Sequence, residues 1–257
     1  MTTGLTYSQY VTQIATMAVV AETDPAFVTI LPQMITYAEN RMYRDIDFMF
    51  TSTSLHGTTF VLTIGNRNLS FNIDLASNSD AASGTFVVSE QINLLTDANG
   101  NAATTTDPDA CVRVPLLPTT KEFLDAVYGS SLTANRGRPQ YFVPFNETLF
   151  FVGPVPDQAY PVEVVGTYRP NSLSATNTTT FISQYLPDVF IMASMIYISA
   201  YQRNFGRQSD DPQMAQSYES QYQALLKSAI VEEARKKFDA AGWSSQSPAT
   251  VATPTRG

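Results

Sequence analysis

One cysteine (Cys111), one histidine (His56) and one tryptophan (Trp243) are all that 257 residues provide of those types. A lone thiol excludes an internal disulfide framework and any metal site built of several thiolates. Cys111 and His56 together cannot supply the ligands of a zinc site. Nucleophilic catalysis through a Ser-His-Asp or Cys-His arrangement would have to be built around His56. That residue precedes Gly57 next to no obvious partner, and it reads as an exposed loop residue.

Charge is also scarce. Asp, Glu, Lys and Arg make up 15% of the chain, well short of the usual quarter, so Thr, Ser, Asn and Gln must cover much of the surface. Cations are the scarcer sign, with 15 Lys and Arg against 23 Asp and Glu and a net charge of −8. Such a balance repels nucleic acid on average and argues against a phosphate-gripping role. Arg136 and Arg138 are too few for nucleic-acid readout. Neither GxxxxGK[ST] nor GxGxxG occurs, so nucleotide binding has no support and no cofactor is expected. Asp97, Asn99 and Asn101 alternate like calcium-loop ligands. The sixth position is Ala102 and the twelfth Pro108, however, so no metal is expected there. A glycosidase would need two carboxylates facing each other across a cleft, and nothing in the strand-rich middle asks for that.

No apolar run is long either. The most continuous, Leu186 to Ile198, falls short of the ~20 residues a bilayer span needs, so no membrane partner is expected. The first residues carry neither a basic region nor an apolar stretch, which predicts no signal peptide and synthesis in the cytoplasm.

What the chain does have is helical periodicity at both ends. Thr6 with Gln9 fits a capping box, and Tyr7, Tyr10, Val11, Ile14, Met17 and Ala18 predict a helix to about Ala21. Asp24-Pro25 repeats the start signal. Phe27, Leu31, Met34, Ile35, Ala38, Met42 and Ile46 form the next stripe, with a kink or restart expected at Pro32. Glu39, Arg41, Arg44 and Asp45 read as its polar flank, solvated or paired with a neighbouring subunit. Near the other end, Pro187 opens a helix through Tyr201 that is apolar nearly all round. Gly206, Asp211 and Pro212 then mark a stop and a new start. From Pro212 to about Ala241 one stripe of Met214, Tyr218, Tyr222, Leu225, Leu226, Ala229 and Ile230 runs along a rod of roughly 45 Å. Glu232 with Lys236, and Glu233 with Lys237, are spaced for ion pairs. An all-round apolar helix beside a long rod suggests that other copies of the chain bury the free faces, the alternative being an ordinary two-layer core inside a monomer.

Between these ends the period alternates. Phe60 to Ile64 and Leu69 to Leu75 read as a hairpin about Gly65-Asn66. Thr85 to Ser89 and Ile92 to Leu95 are two further segments, and Cys111 to Leu117 is a strand. Ser77 to Gly84 and Asp97 to Asp109 read as loops, the latter as a flexible tip. A short helix is expected from Thr119 to Tyr128, a turn at Arg136 to Pro139, a hairpin of Gln140 to Pro144 with Thr148 to Val152, and a strand from Val162 to Tyr168. The fold class is therefore α+β: a helical layer of N- and C-terminal helices with an inserted antiparallel β-rich domain. The divisions are 1–49, 50–170 with its one short helix, 171–241, and an extended tail 242–257.

Three stretches resemble a known family. Leu31-Pro-Gln-Met-Ile-Thr-Tyr-Ala-Glu-Asn-Arg-Met-Tyr-Arg-Asp-Ile is similar to the early helix of head-to-tail adaptors of short-tailed (podovirus-type) bacteriophages, tail tubular protein A-like. Gly137-Arg-Pro-Gln-Tyr-Phe-Val and Leu149-Phe-Phe-Val-Gly-Pro-Val-Pro-Asp resemble that family's central strands. Phe181-Ile-Ser-Gln-Tyr-Leu-Pro-Asp-Val resembles the start of its late helix pair. Residues 77–109 depart from the pattern. The resemblance implies a structural, non-enzymatic virion protein. It implies a ring of twelve copies at the head–tail junction, between portal and tail nozzle, through which DNA passes unbound. Assembly would take place in the host cytoplasm. Tyr197, Tyr201, Tyr218 and Tyr222 are the expected packing residues of the helical layer, Arg41 and Arg44 its charged contacts, and Trp243 with the tail a docking element. The competing expectation is a carbohydrate-binding or adhesion module carried by the β region. A hydrolase would have to show dependence on His56.

Overall fold

A computed structural model of the chain describes residues 4–75, 83–202 and 213–240, without the side chains of 200–202, 213–215 and 238–240. The chain forms two compact units. One comprises the residues up to Met49 and those from Ser172 on; the other is Phe50–Asn171. The first is helical and the second is mostly strand, so the fold is α+β with the β region inserted between terminal helices.

In the helical unit, α1 (Tyr7–Met17) starts at the expected capping box, with Gln9 N–H donating to the Thr6 hydroxyl and Thr6 N–H donating to Gln9 Oε1. Asp24 caps α2 (Pro25–Asp45) by accepting from the N–H groups of Ala26 and Phe27. The helix does not restart at Pro32. Pro32 and Val28, whose carbonyl loses its donor, are both exposed, so solvent can take the missing partner's place. Thr180 and Ser183 cap the short α4 (Phe181–Tyr185) reciprocally, and α5 (Pro187–Gln202) follows it. The break at Leu186 was not legible as a separate helix. It follows from Pro187, which disfavours helical geometry in the residue before it.

The last helix, α6 (Gln213–Ala240), has 28 residues, a rod of roughly 42 Å. Contacts fix the directions of these helices. Tyr37 meets Tyr197 and Phe48 meets Phe181, so α2 runs against α4 and α5. Arg41 meets Glu219, Tyr222 meets Asp45 and Met49 meets Glu233, so α2 runs along α6. Tyr10 stacks on Phe190 and donates to Ser194 Oγ. Within this set Val189, Phe190, Ile191, Ala193, Met195 and Ile198 of α5 are all buried. The apolar circumference of α5 is thus covered by its own chain, and by itself it calls for no neighbour. Among the described residues no helix is long and apolar enough to cross a membrane.

The β unit holds two four-stranded sheets. The first has the order β1 (Ser52–Leu55), β10 (Val162–Pro170), β3 (Gly84–Thr96), β4 (Val112–Pro115) and is antiparallel throughout. The second has the order β2 (Asn68–Ser70), β8 (Leu149–Gly153), β7 (Tyr141–Pro144), β5 (Leu117–Pro118), with β5 and β7 parallel. Both contribute to one core, in which Phe71 lies 5.4 Å from Phe60 and Phe86 and stacks on Phe150 at 5.6 Å.

Several expectations change here. Phe60 to Leu75 is not a hairpin: Leu62 N–H bonds to Tyr160 O, and β2 pairs with β8. The two segments after Gly84 are one 13-residue strand. Its pairing with β10 skips Glu90 and Val87, and such bulges shift the alternation from one face to the other. Arg136–Gly137 is a two-residue strand, β6, that pairs with β9 (Val155–Pro156), rather than a turn. The Asp97 loop is ordered by its own first residue, whose carboxylate accepts from the N–H groups of Asn99 and Asn101. The expected short helix is α3 (Lys121–Tyr128), and the β7–β8 hairpin is present.

Gly166 sits at one bulge, where an added Cβ would lie 2.1 Å from the Val88 carbonyl oxygen and 2.8 Å from the Phe86 ring. Gly166→Ala should therefore destabilise the β unit by about 2 kcal/mol or more. Urea unfolding followed by tyrosine fluorescence checks this; an unchanged midpoint would mean the bulge relaxes freely.

Candidate functional site

The polar chemistry of the helical unit is concentrated where α2 meets α6. Arg41 makes a two-pronged contact with Glu219, at 2.8 Å from Nη1 and 2.5 Å from Nη2. Its guanidinium also lies 4.4 Å above the Tyr222 ring. Tyr222 is fully buried and donates its hydroxyl to Asp45 Oδ2 at 2.7 Å. Hydrogen bonding to Glu219 raises the Arg41 pKa further, and the same contact lowers that of Glu219. Burial, then the Asp45 hydrogen bond, push the Tyr222 phenol up. These shifts keep Arg41 and Glu219 charged and Tyr222 neutral near neutral pH. The cluster is a clamp that orders two helices.

Farther along the same pair, Lys237 pairs with Asp47, and Lys236 with Glu232 and the buried Glu233. The expected Glu233–Lys237 pair is thus replaced, because Glu233 also accepts from Met49 N–H and Asp47 stands within reach of Lys237. Asp45, Ile46, Asp47, Ile230, Glu233, Ala234 and Lys237 line a recess of about 210 Å³. Its one cation, Lys237, is paired with Asp47.

A second buried polar group lies in the middle of α2. Glu39 is 1% exposed, and its Oε1 accepts from Leu173 N–H at 3.1 Å. Burial raises its pKa to about 7, against the pull of the Ser172 hydroxyl, Leu173 N–H and the Thr180 hydroxyl. Its Oε2 makes no hydrogen bond of normal geometry. The expectation that Glu39 belongs to the polar flank is therefore corrected: it faces the core beside Ala38 and Met42.

The structure brings Arg41 and Tyr222 together and places Tyr197 against Tyr37, with ring centroids 5.7 Å apart. Tyr218 is half-buried and Arg44 is exposed, with no carboxylate paired to it among the described residues. The side chain of Tyr201, Trp243 and the whole tail lie outside the described residues, as do Gly206, Asp211 and Pro212. His56 is half-buried rather than exposed, and its Nδ1 has no hydrogen-bond partner. In the β unit, Glu163 accepts from Ser54, Asn93 and Arg113 and so ties all four strands of the first sheet together. Burial opposes its ionisation most, but the three donors outweigh it and leave the carboxyl below its usual range. Among the described residues no three His, Cys, Asp or Glu side chains form a metal-ligating group.

These groups hold elements together. A family model described as SU10 adaptor protein matches residues 5–252, which takes in both units. The chain belongs to the SU10 adaptor protein family. Among curated proteins none matches it. It is therefore a bacteriophage adaptor, a structural component of the virion. For an SU10 adaptor the α2–α6 clamp has an evident use. It holds the long α6 at a fixed register, so that whatever α6 presents outward is presented rigidly.

Proposed function

We propose that this SU10 adaptor forms a homo-oligomeric ring of about twelve copies at the head–tail junction of a short-tailed, podovirus-type phage, like the tail tubular protein A-type adaptors it resembles. The portal lies on one side, the tail nozzle on the other, and DNA passes through the lumen without specific binding. The observation that carries this reading is the family match across both the helical and the β unit. Support for assembly comes from the helical unit's exposed apolar side chains: Val19, Val28, Tyr185, Ile230 and Val231 are between 42% and 72% exposed. Such side chains are available to a neighbouring copy. A net charge of −8 suits a wall past which DNA slides without sticking.

The tail from Trp243 on is the docking element in this scheme. Truncation after Ala241 should leave a folded protein that no longer co-sediments with portal-bearing capsids, whereas the full chain does. Equal co-sedimentation of both forms would refute the tail's role. Failure of both to bind would refute the portal as partner.

A second reading, glycan binding by the β unit, draws on its aromatic surface. Phe145 and Phe123 are exposed, and Tyr141 lies 5.4 Å from Phe123 and stacks with Tyr128 at 6.0 Å. Saturable binding of the full chain to a glycan array, lost in Phe145→Ala, would favour it over the ring.

A further inference from the structure

The turn that leaves α1 places a valine where glycine is the usual choice. Val20 N–H bonds to Ala15 O at 3.0 Å and Val19 N–H to Thr16 O at 3.2 Å, the bond pair of a Schellman cap, whose penultimate residue takes the left-handed conformation. Val19 occupies that position with φ 54°. A β-branched residue resists that backbone geometry. Its side chain is 72% exposed. Val28, at the start of α2, is 52% exposed. Glu22 stands exposed between them, with no cation paired to it among the described residues, while Asp24 is occupied as the α2 cap. The α1–α2 turn is therefore an apolar tip of negative sign.

The outer face of α6 has the opposite character. Val231 is 50% exposed, and Lys227 and Arg235 flank it at four residues on either side, on the same helical face. Both are exposed, and neither pairs with a carboxylate among the described residues. Ile230, 42% exposed, widens the apolar strip. Because α2 and α6 run in the same direction, from Arg41 beside Glu219 to Met49 beside Glu233, the tip and the strip lie towards opposite ends of the helical unit.

We propose that the α1–α2 turn of one copy, through Val19, Glu22 and Val28, docks on the Lys227–Val231–Arg235 strip of the next copy. Apolar surface meets apolar surface and the charge signs are complementary. Two different patches make the contact heterologous, the kind that closes into a ring when the rotation between copies allows it. In this contact Val19 contributes its exposed side chain to the neighbour. The inference rests on the homo-oligomer reading above and adds the surfaces that form it.

The test is sedimentation velocity of the full chain over a range of concentrations, with thermal melting of each variant. Val19→Gly relieves the backbone and removes the side chain, so the subunit should melt at a higher temperature while association weakens tenfold or more. Lys227→Glu with Arg235→Glu should weaken association similarly, as should Glu22→Lys, and combining all three reversals should restore it. If the parent assembles and these variants assemble equally well, or if the combined reversal gives no rescue, this surface is wrong and the ring stands. If the parent stays a monomer at every concentration, self-association is wrong and both fall.

Discussion

Glu39→Gln is expected to abolish most of the helical unit's loss of stability between pH 4.5 and 7, and to leave the variant the more stable protein above that range. Burial moves the Glu39 carboxyl from 4.5 up to about 7, so between those values the folded state holds a proton that the unfolded state has released. Stability then falls as pH rises, by ~1.4 kcal/mol per unit, for a total of about 3 kcal/mol. Below pH 4.5 both states are protonated and the effect vanishes. Gln cannot ionise, but it keeps the acceptor for Leu173 N–H. Urea unfolding of wild type and Glu39→Gln at pH 5 and pH 8 reads the difference directly. Parallel pH profiles would show that the carboxylate is solvated after all.

The second large effect is expected at Tyr222. Truncation to Ala empties a fully buried site, which costs about 3 to 5 kcal/mol for an aromatic ring. It also leaves Arg41 without the ring beneath it and Asp45 without its donor. Tyr222→Phe keeps the packing and loses only the hydroxyl's bond to a half-exposed Asp45, so about 1 kcal/mol should go. The ratio between the two variants is the informative quantity. A Tyr222→Ala cost near that of Tyr222→Phe would mean that α6 is not seated on α2 through this ring.

Both residues show how far the sequence carries. The stripe of Ile35, Ala38 and Met42 was legible from spacing, and Glu39 falls within it, four residues after Ile35 and three before Met42. Its charge directed it to the polar flank, yet the position alone marks it as buried. Tyr222 was readable as a packing residue, but its partners Arg41 and Asp45 lie some 180 residues away in sequence, and no local pattern pairs them. The helix starts at Thr6, Asp24 and Thr120, and the β7–β8 hairpin, were legible because each is settled by a few neighbouring residues. Strand pairing was not. Phe60 to Leu75 alternates as a hairpin should, but its alternate residues satisfy the common core by pairing with the chain at Tyr160 and with β8 instead. Bulges at Val87 and Glu90 hid the continuity of β3 by breaking its phase. The all-round apolar α5 was legible as a helix with partners on every side. Sequence could not tell whether those partners belong to the same chain, and they do.

That last point moves the weight of the assembly argument from α5 to the unit's outer surface and to the family. The most direct test is the mass of the purified full-length protein, alone and bound to capsid vertices, by native mass spectrometry and by scattering. A closed species near twelve times the 28.2 kDa chain, free or at the vertex, is the expected result. A 28.2 kDa monomer in solution, together with a single copy or none at the vertex, would contradict it.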